Sequence, residues 1–225
     1  MSTHGLPFHD RHQAGRVLAQ MLESYRGRAG LLVLALPRGG VAVGFEVAQA
    51  LQAPLDVFVV RKLGFPGHEE YAIGAIASGG VRVINPEADQ MVSHEELNAV
   101  IEREEEELQR REKLYRNQRP PLALRGRHVI VVDDGLATGS TMRAAVLAIR
   151  QQQPAHLTVA VPVGAPDSCE SLRDLADEVI CAATPTPFRA VGLWYENFPQ
   201  ASDDEVRTLL EKASRAQPRT GIEEA

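Results

Sequence analysis

Two adjacent acids, Asp133 and Asp134, close the apolar run 129–132, and a turn of small and hydroxylated residues, Gly135-Leu-Ala-Thr-Gly-Ser-Thr141, follows them. Ionised carboxylates accept hydrogen bonds from hydroxyl donors or stand beside a metal ion. A Gly/Thr/Ser turn that opens into a helix turns unpaired backbone N–H groups toward an anion. One short segment therefore offers acceptors for a diol next to a cradle for a phosphate. A phosphorylated sugar carries both groups.

The elements around this segment must deliver it to a sheet edge. Residues 31–36 form a continuous apolar run, the pattern of a strand buried on both faces, and residues 55–60, apolar but for Asp56, read as a second buried strand. Pro37-Arg38-Gly39-Gly40 breaks the first run, and residues 41–51 then follow helical spacing. The result is a strand–helix–strand unit, parallel by the right-handed crossover rule. The βαβ pattern resumes after Pro120-Pro121, with strand 128–133, loop 134–140, helix 141–152, strand 156–162, helix 167–176 and strand 178–182. In such folds ligands bind beyond the C-terminal ends of parallel strands, where both Asp133-Asp134 and Arg38-Gly39-Gly40 fall.

Three further regions flank this core. Residues 10–25 predict an amphipathic helix capped by Asp10, with Val17, Leu18, Met21 and Leu22 on one face. Residues 63–71 read as a polar loop, followed by a hairpin of 71–77 and 81–84 about Ser78-Gly79-Gly80. After Pro86, the capping box Ser93-His-Glu-Glu96 opens a charged helix to about Arg116, with a stripe of Leu97, Ile101, Leu108 and Tyr115. That stripe fits either the core or a second subunit. A Pro-rich aromatic segment, 184–198, precedes a last helix over 203–213. The polar residues after Ser214 read as a flexible tail.

Bulk properties narrow the function classes. A net charge of −6 argues against a dedicated nucleic-acid binder. No run approaches the roughly 18 apolar residues of a membrane span. The N-terminus carries His4, His9, Asp10, Arg11 and His12 and no apolar signal core. Cys169 and Cys181 read as separate thiols, which makes the cytoplasm the expected compartment. No Gly-x-Ser-x-Gly elbow, His-Glu-x-x-His or Walker loop occurs.

Residues 129–141 resemble the phosphoribosyl-pyrophosphate (PRPP) motif of the type I phosphoribosyltransferases: an apolar strand, two acids, small residues, then Thr-Gly-x-Thr. The order of elements over residues 30–182 resembles that family too. The resemblance implies an α/β fold, a mostly parallel twisted sheet flanked by helices. It implies one domain over 1–213, with core segments 30–62 and 127–182, a hairpin and long-helix insertion over 63–121, and a small C-terminal hood over 183–213.

The resemblance also implies roles. Asp133 and Asp134 would bind the ribose hydroxyls, and Ala137, Thr138, Gly139, Ser140 and Thr141 the 5′-phosphate. Pro37, Arg38, Gly39 and Gly40 look like the pyrophosphate loop, the glycines serving a backbone with unusual angles. Arg61 and Lys62, at the end of the second strand, are similar to phosphate-contacting residues of relatives acting on orotate and adenine. Asp133, Asp134, Arg38 and Lys62 are thus the catalytic candidates. The loop 64–71 resembles the family's catalytic lid, with His68, Glu69 and Glu70 as its acid–base candidates. Trp194, Tyr195 and Phe198, with the N-terminus, would stack the base. Ala137 departs from the hypoxanthine–guanine pattern, which has Asp there, and lies closer to the adenine type. The string Trp194-Tyr-Glu-Asn-Phe198 resembles a branch outside the named purine and pyrimidine enzymes.

The implied reaction moves a 5-phosphoribosyl group from PRPP to a nitrogenous base and releases pyrophosphate. Mg²⁺ would be the cofactor, held through PRPP and water near Asp133 and Asp134 rather than by a dedicated ligand set. A non-catalytic regulator that binds PRPP or a nucleotide is the alternative. The implied partners are PRPP and a nucleobase-like molecule, with a homodimer as a further expectation and neither membrane nor nucleic acid.

Overall fold

The computed structural model describes residues 6–85, 92–117 and 119–216, without the side chains of residues 69–72. Its centre is a five-stranded parallel sheet in the order β2-β1-β6-β7-β8. The strands are β1 (Leu31–Ala35), β2 (Leu55–Val57), β6 (His128–Val132), β7 (His156–Val163) and β8 (Glu178–Ala183). Every position of β1 is buried, as its unbroken apolar run requires. From β1 the chain steps outward to β2, whereas from β6 it steps the other way to β7 and β8. The direction of winding thus reverses between β1 and β6, which pair with each other along their length. A crevice forms at such a reversal, and the loops after β1 and β6 are the two that the sequence marks.

The pleat sorts side chains between two cores. Val33, Ala35, Ile130 and Val132 face α1 (Arg11–Met21), α2 (Gly40–Leu51) and the last helix, α6 (Asp203–Ala216). Leu32, Leu34, Val129 and Val131 face α4 (Ser140–Gln151), packing on Met142, Val146 and Ile149. Asp10 caps α1 by accepting from the Gln13 N–H at 2.7 Å. The buried face of that helix is Ala14, Gly15, Leu18 and Ala19. Met21, expected inside, is 50% exposed, because the helix ends there and the chain tightens into a 3-10 turn at Glu23–Tyr25.

The second expected strand is divided. β2 stops at Val57, and residues 60–65 leave the parallel sheet to become β3 (Val60–Phe65). With β4 (His68–Ala77) and β5 (Val81–Ile84) it forms a separate antiparallel sheet. The stretch read as a polar loop is therefore a hairpin turning at Pro66-Gly67, in which Phe65 pairs with His68. The expected hairpin about Ser78-Gly79-Gly80 is present, with Ala77 opposite Val81.

α3 (His94–Arg116) begins at the predicted capping box, with Ser93 and Glu96 bonded reciprocally. Its stripe of Leu97, Ile101, Leu108 and Tyr115 is buried within the chain, joined by Val100, so it is committed to the core rather than to a second subunit. The end of α3 is anchored by charge. Arg116 Nε lies 3.0 and 3.1 Å from the Asp56 oxygens, and its Nη2 donates to the Val57 carbonyl at 2.7 Å.

Helix α5 (Pro166–Glu170) is shorter than the predicted 167–176, and α6 runs past the predicted end to Ala216. The expected tail from residue 217 onward lies outside the described residues, as does Pro86. Cys169 and Cys181, read as separate thiols, form a disulfide between α5 and β8. No spacing signals it, because only the return of β8 alongside α5 brings the two together. The expectation of the cytoplasm loses the support that unpaired cysteines would have given it. Among the described residues, no helix is long and apolar enough to cross a membrane.

Removing one partner of a buried ion pair leaves the other charge uncompensated. Arg116 and Asp56 are only 7% and 11% exposed at their side chains. Arg116→Met is therefore expected to lower the unfolding free energy by about 3–5 kcal/mol in urea denaturation. A loss under about 1 kcal/mol would show the pair to behave as a surface pair.

Candidate functional site

Strand β6 ends at Val132, so the next two residues leave the sheet at the crevice. Asp133 Oδ1 accepts from the Asp134 N–H at 2.8 Å, which fixes the turn. The loop is then stitched to the neighbouring strand: the Leu136 N–H donates to Val163 O at 2.9 Å, and the Ala165 N–H to Leu136 O at 2.8 Å. Ser168 on α5 buttresses it by donating to the Ala137 carbonyl at 2.5 Å. Gly139 has φ +71, a left-handed conformation that a Cβ disfavours, and it starts α4. Ala137, Thr138, Ser140 and Thr141 are exposed around this N-terminus, with the Thr138 and Ser140 hydroxyls 3.1 Å apart. The helix expected after this turn starts at Ser140, and its first N–H groups lack carbonyl partners within it.

The loop after β1 lies directly against these acids. A Cβ built on Gly39 would fall 1.9 Å from Asp134 Oδ2, and one on Gly40 would fall 2.8 Å from Val132 O and 3.0 Å from Asp133 Oδ1. Gly39 has φ −58, an ordinary helical angle. The unusual backbone angle expected of this loop lies at its Pro37–Arg38 peptide, whereas these glycines are needed for close approach. The Gly40 N–H donates to Leu36 O at 3.1 Å, so it is committed to the backbone rather than free for a ligand. The Pro37–Arg38 peptide is cis. The Arg38 charge acts on the phenol of Tyr115, near the end of α3.

Arg61 and Lys62 lie on β3 rather than on a parallel strand. They line a cavity of about 310 Å³ together with Val60, Gly64, Arg103, Glu104 and Thr141. The phosphate turn and this basic pair therefore share one space. Arg61 is already paired, its Nε and Nη2 lying 2.8 and 2.6 Å from Glu104 Oε2 on α3. Of the lid candidates, Glu69 and Glu70 lie on β4, and their side chains are outside the described residues. His68 is exposed, with its ring 6.3 Å from that of Phe65.

A small third core roofs the acids. The N-terminal segment runs beside residues 194–197: the Phe8 N–H donates to Trp194 O, and the Glu196 N–H to Phe8 O, both at 2.8 Å. Tyr195 is 6% exposed, and its hydroxyl donates to the Asp134 carbonyl at 2.6 Å. It is thereby built into the hood, packed on Phe8 and Phe198, and it cannot offer a free face for stacking. Trp194 stacks on Phe188. Phe198 is covered by Arg11, whose guanidinium carbon lies 3.8 Å from the ring centroid.

Arg11, Ser168 and the structural role of Tyr195 escaped the sequence reading. Arg11 is the most consequential, since its Nε donates to Asp134 Oδ2 at 2.8 Å. The one cue to it is the density of charge at the start of the first helix. Burial, and then the neighbouring Asp134 charge, push the Asp133 carboxyl well above the ordinary carboxylate range. Burial raises Asp134 as well, and the Arg11 hydrogen bond and charge oppose that rise.

Comparison with known proteins agrees with this geometry. Residues 9–195 match the profile of the family described as the phosphoribosyl transferase domain. The chain is 49% identical over 213 residues to a Mycobacterium tuberculosis H37Rv protein provisionally named a phosphoribosyl transferase, covering 92% of this chain and 47% of that protein. A protein of the same description from strain CDC 1551 / Oshkosh matches to the same extent. The chain thus spans about half the length of these relatives. The crystal structure of TT1426 from Thermus thermophilus superposes with a TM-score of 0.82 at 41% identity, over 91% of this chain and 98% of that one.

An acid whose pKa is raised by folding destabilises the fold when ionised, and that cost fades as pH falls toward the ordinary carboxylate value. Asp133→Asn is therefore expected to melt above the unsubstituted chain near neutral pH, with the gap closing on acidification. Thermal unfolding across pH checks this, and a gap that widens toward acid would contradict it.

Proposed function

The chain belongs to the phosphoribosyltransferase family, and we propose that within it this protein transfers the 5-phosphoribosyl group from PRPP to a nitrogenous base, releasing pyrophosphate. The observation that carries the reading is the contact between Gly39 and Asp134 at the reversal of the sheet. It brings a phosphate-sized loop and a diol-sized pair of acids within the span of one PRPP molecule.

Each residue then has a task. The Asp133 and Asp134 carboxylates take hydrogen bonds from the ribose 2′- and 3′-hydroxyls. The Thr138, Ser140 and Thr141 hydroxyls and the first N–H groups of α4 hold the 5′-phosphate, with the backbone of Ala137 and Gly139 beneath it. The loop from Pro37 to Gly39, with the Arg38 guanidinium, receives the pyrophosphate. Lys62 adds a cation across the cavity it shares with Thr141. Arg61 reaches a phosphate only by giving up Glu104, so it serves first to fix the β3 hairpin against α3.

Positive charge develops at C1′ as the pyrophosphate leaves, and prearranged carboxylates stabilise it without reorganising at that moment. Mg²⁺ takes oxygen ligands, and two crowded carboxylates whose ionisation is opposed by burial gain from a nearby cation. Bound through PRPP and water near Asp133 and Asp134, it would neutralise the charge on the departing pyrophosphate. The acceptor enters beneath the hood, where Trp194 is the remaining aromatic candidate to face it and Tyr195 holds the roof to the acids. Glu69 and Glu70 on β4 are the candidates for moving its proton.

Incubation with PRPP and Mg²⁺ across purine, pyrimidine and pyridine bases, read as pyrophosphate release, tests the reading. Asp134→Asn is expected to cut that release by about 10²–10³, and full release by this variant would overturn the assignment. PRPP binding without release on any base would identify a regulator instead. Gly39→Ala, which must push the two loops apart, is expected to lower release about a hundredfold while the chain still folds. Unchanged release would show that the close approach is incidental.

A further inference from the structure

We propose that Arg11, on the first turn of α1, is a positioning residue for the ribose site: it bonds and aims the Asp134 carboxyl group from the hood side. The proposal rests on the transferase reading and deepens it.

Three contacts fix the guanidinium. Nε donates to Asp134 Oδ2 at 2.8 Å, Nη1 donates to the Pro199 carbonyl at 2.7 Å, and the planar face lies on the Phe198 ring at 3.8 Å. Stacking on an aromatic ring and a directed hydrogen bond are what a delocalised planar cation does and an ammonium does not. The Arg11 and Asp134 side chains are only 11% and 16% exposed, so solvent screens their attraction weakly. Asp134 is held at its other end as well, through the Tyr195 hydroxyl on its carbonyl. Its Oδ2 thus sits between the Arg11 fork and the bare backbone of Gly39, with little freedom to turn.

Few other charges among the described residues face this group. Asp133 precedes it at the end of β6, and the Tyr195 phenol, from the hood, is pushed up by burial and by Asp134 and stays neutral. On α2, Glu46 is taken by His12 at 2.8 Å and by Arg16 at 3.7 Å. The hood's Glu196 pairs with His9 at 2.9 Å. Arg11 is accordingly the cation that bears on the acid pair. An adjacent second carboxylate and burial both favour protonation, and a protonated Asp134 loses acceptor capacity for a ribose hydroxyl. Arg11 opposes both and orients the acceptor that the diol would meet.

The test is the dissociation constant of Mg²⁺-PRPP, measured by calorimetry from acid to alkaline pH on the full chain and on Arg11→Gln and Arg11→Lys. The expected result for Arg11→Gln is an acid limb displaced upward by about 1–3 pH units, with affinity approaching that of the unsubstituted chain at the alkaline end. Arg11→Lys restores the charge and is expected to bring the limb most of the way back. An unshifted limb in Arg11→Gln, or an equal loss of affinity at every pH, overturns the proposal and makes Arg11 a clamp for the hood. So does an Arg11→Gln chain that fails to fold while Arg11→Lys folds. If the unsubstituted chain binds no PRPP at any pH, the transferase reading fails, and the role of Arg11 falls with it.

Discussion

Two carboxylates on consecutive residues, set half-buried at the end of a strand, are an electrostatic liability. Burial and mutual repulsion both resist their ionisation, and a fold that keeps them must supply compensation. Much of the surrounding structure can be understood as that compensation. The Asp134 N–H and the Arg11 guanidinium donate to the two side chains, and Tyr195 anchors the Asp134 backbone. The loop after β1 packs against them through Gly39 and Gly40, where no side chain could fit. The destabilisation is local, and it is offset by the apolar layers on either side of the sheet.

The same constraint explains the hood. A C-terminal segment and an N-terminal segment, far apart in sequence, pair in the isolated bridge between Phe8 and Tyr195. Each contributes one contact to Asp134: a cation from the first helix and a phenol from residue 195. The hood is therefore tied to the second acid of the pair.

Local patterns in the chain reveal much of this arrangement and leave its contacts hidden. The buried strands are legible because their residues are apolar on both faces, and α3 is legible because Ser93 and Glu96 form a reciprocal cap. The acids and the phosphate turn are legible because their residue types and order match their chemistry. The split between β2 and β3 is not, since residues 57–60 run apolar across it and only tertiary packing decides where the parallel sheet ends. The glycines at 39 and 40 are visible as a loop, but the reason for them lies far along the chain, in atoms of Val132, Asp133 and Asp134. Arg11, 123 residues from its partner, carries no local signal beyond its charge. Long-range contacts of single polar atoms leave no periodicity to read.

The most direct test of the central claim is a crystal structure of the chain with Mg²⁺ and a non-reactive PRPP analogue. The account predicts the ribose hydroxyls on the carboxylates of Asp133 and Asp134, the 5′-phosphate in the turn from Ala137 to Thr141, and the pyrophosphate against the loop from Pro37 to Gly39. An analogue bound elsewhere, or one whose ribose leaves both carboxylates untouched, would contradict it.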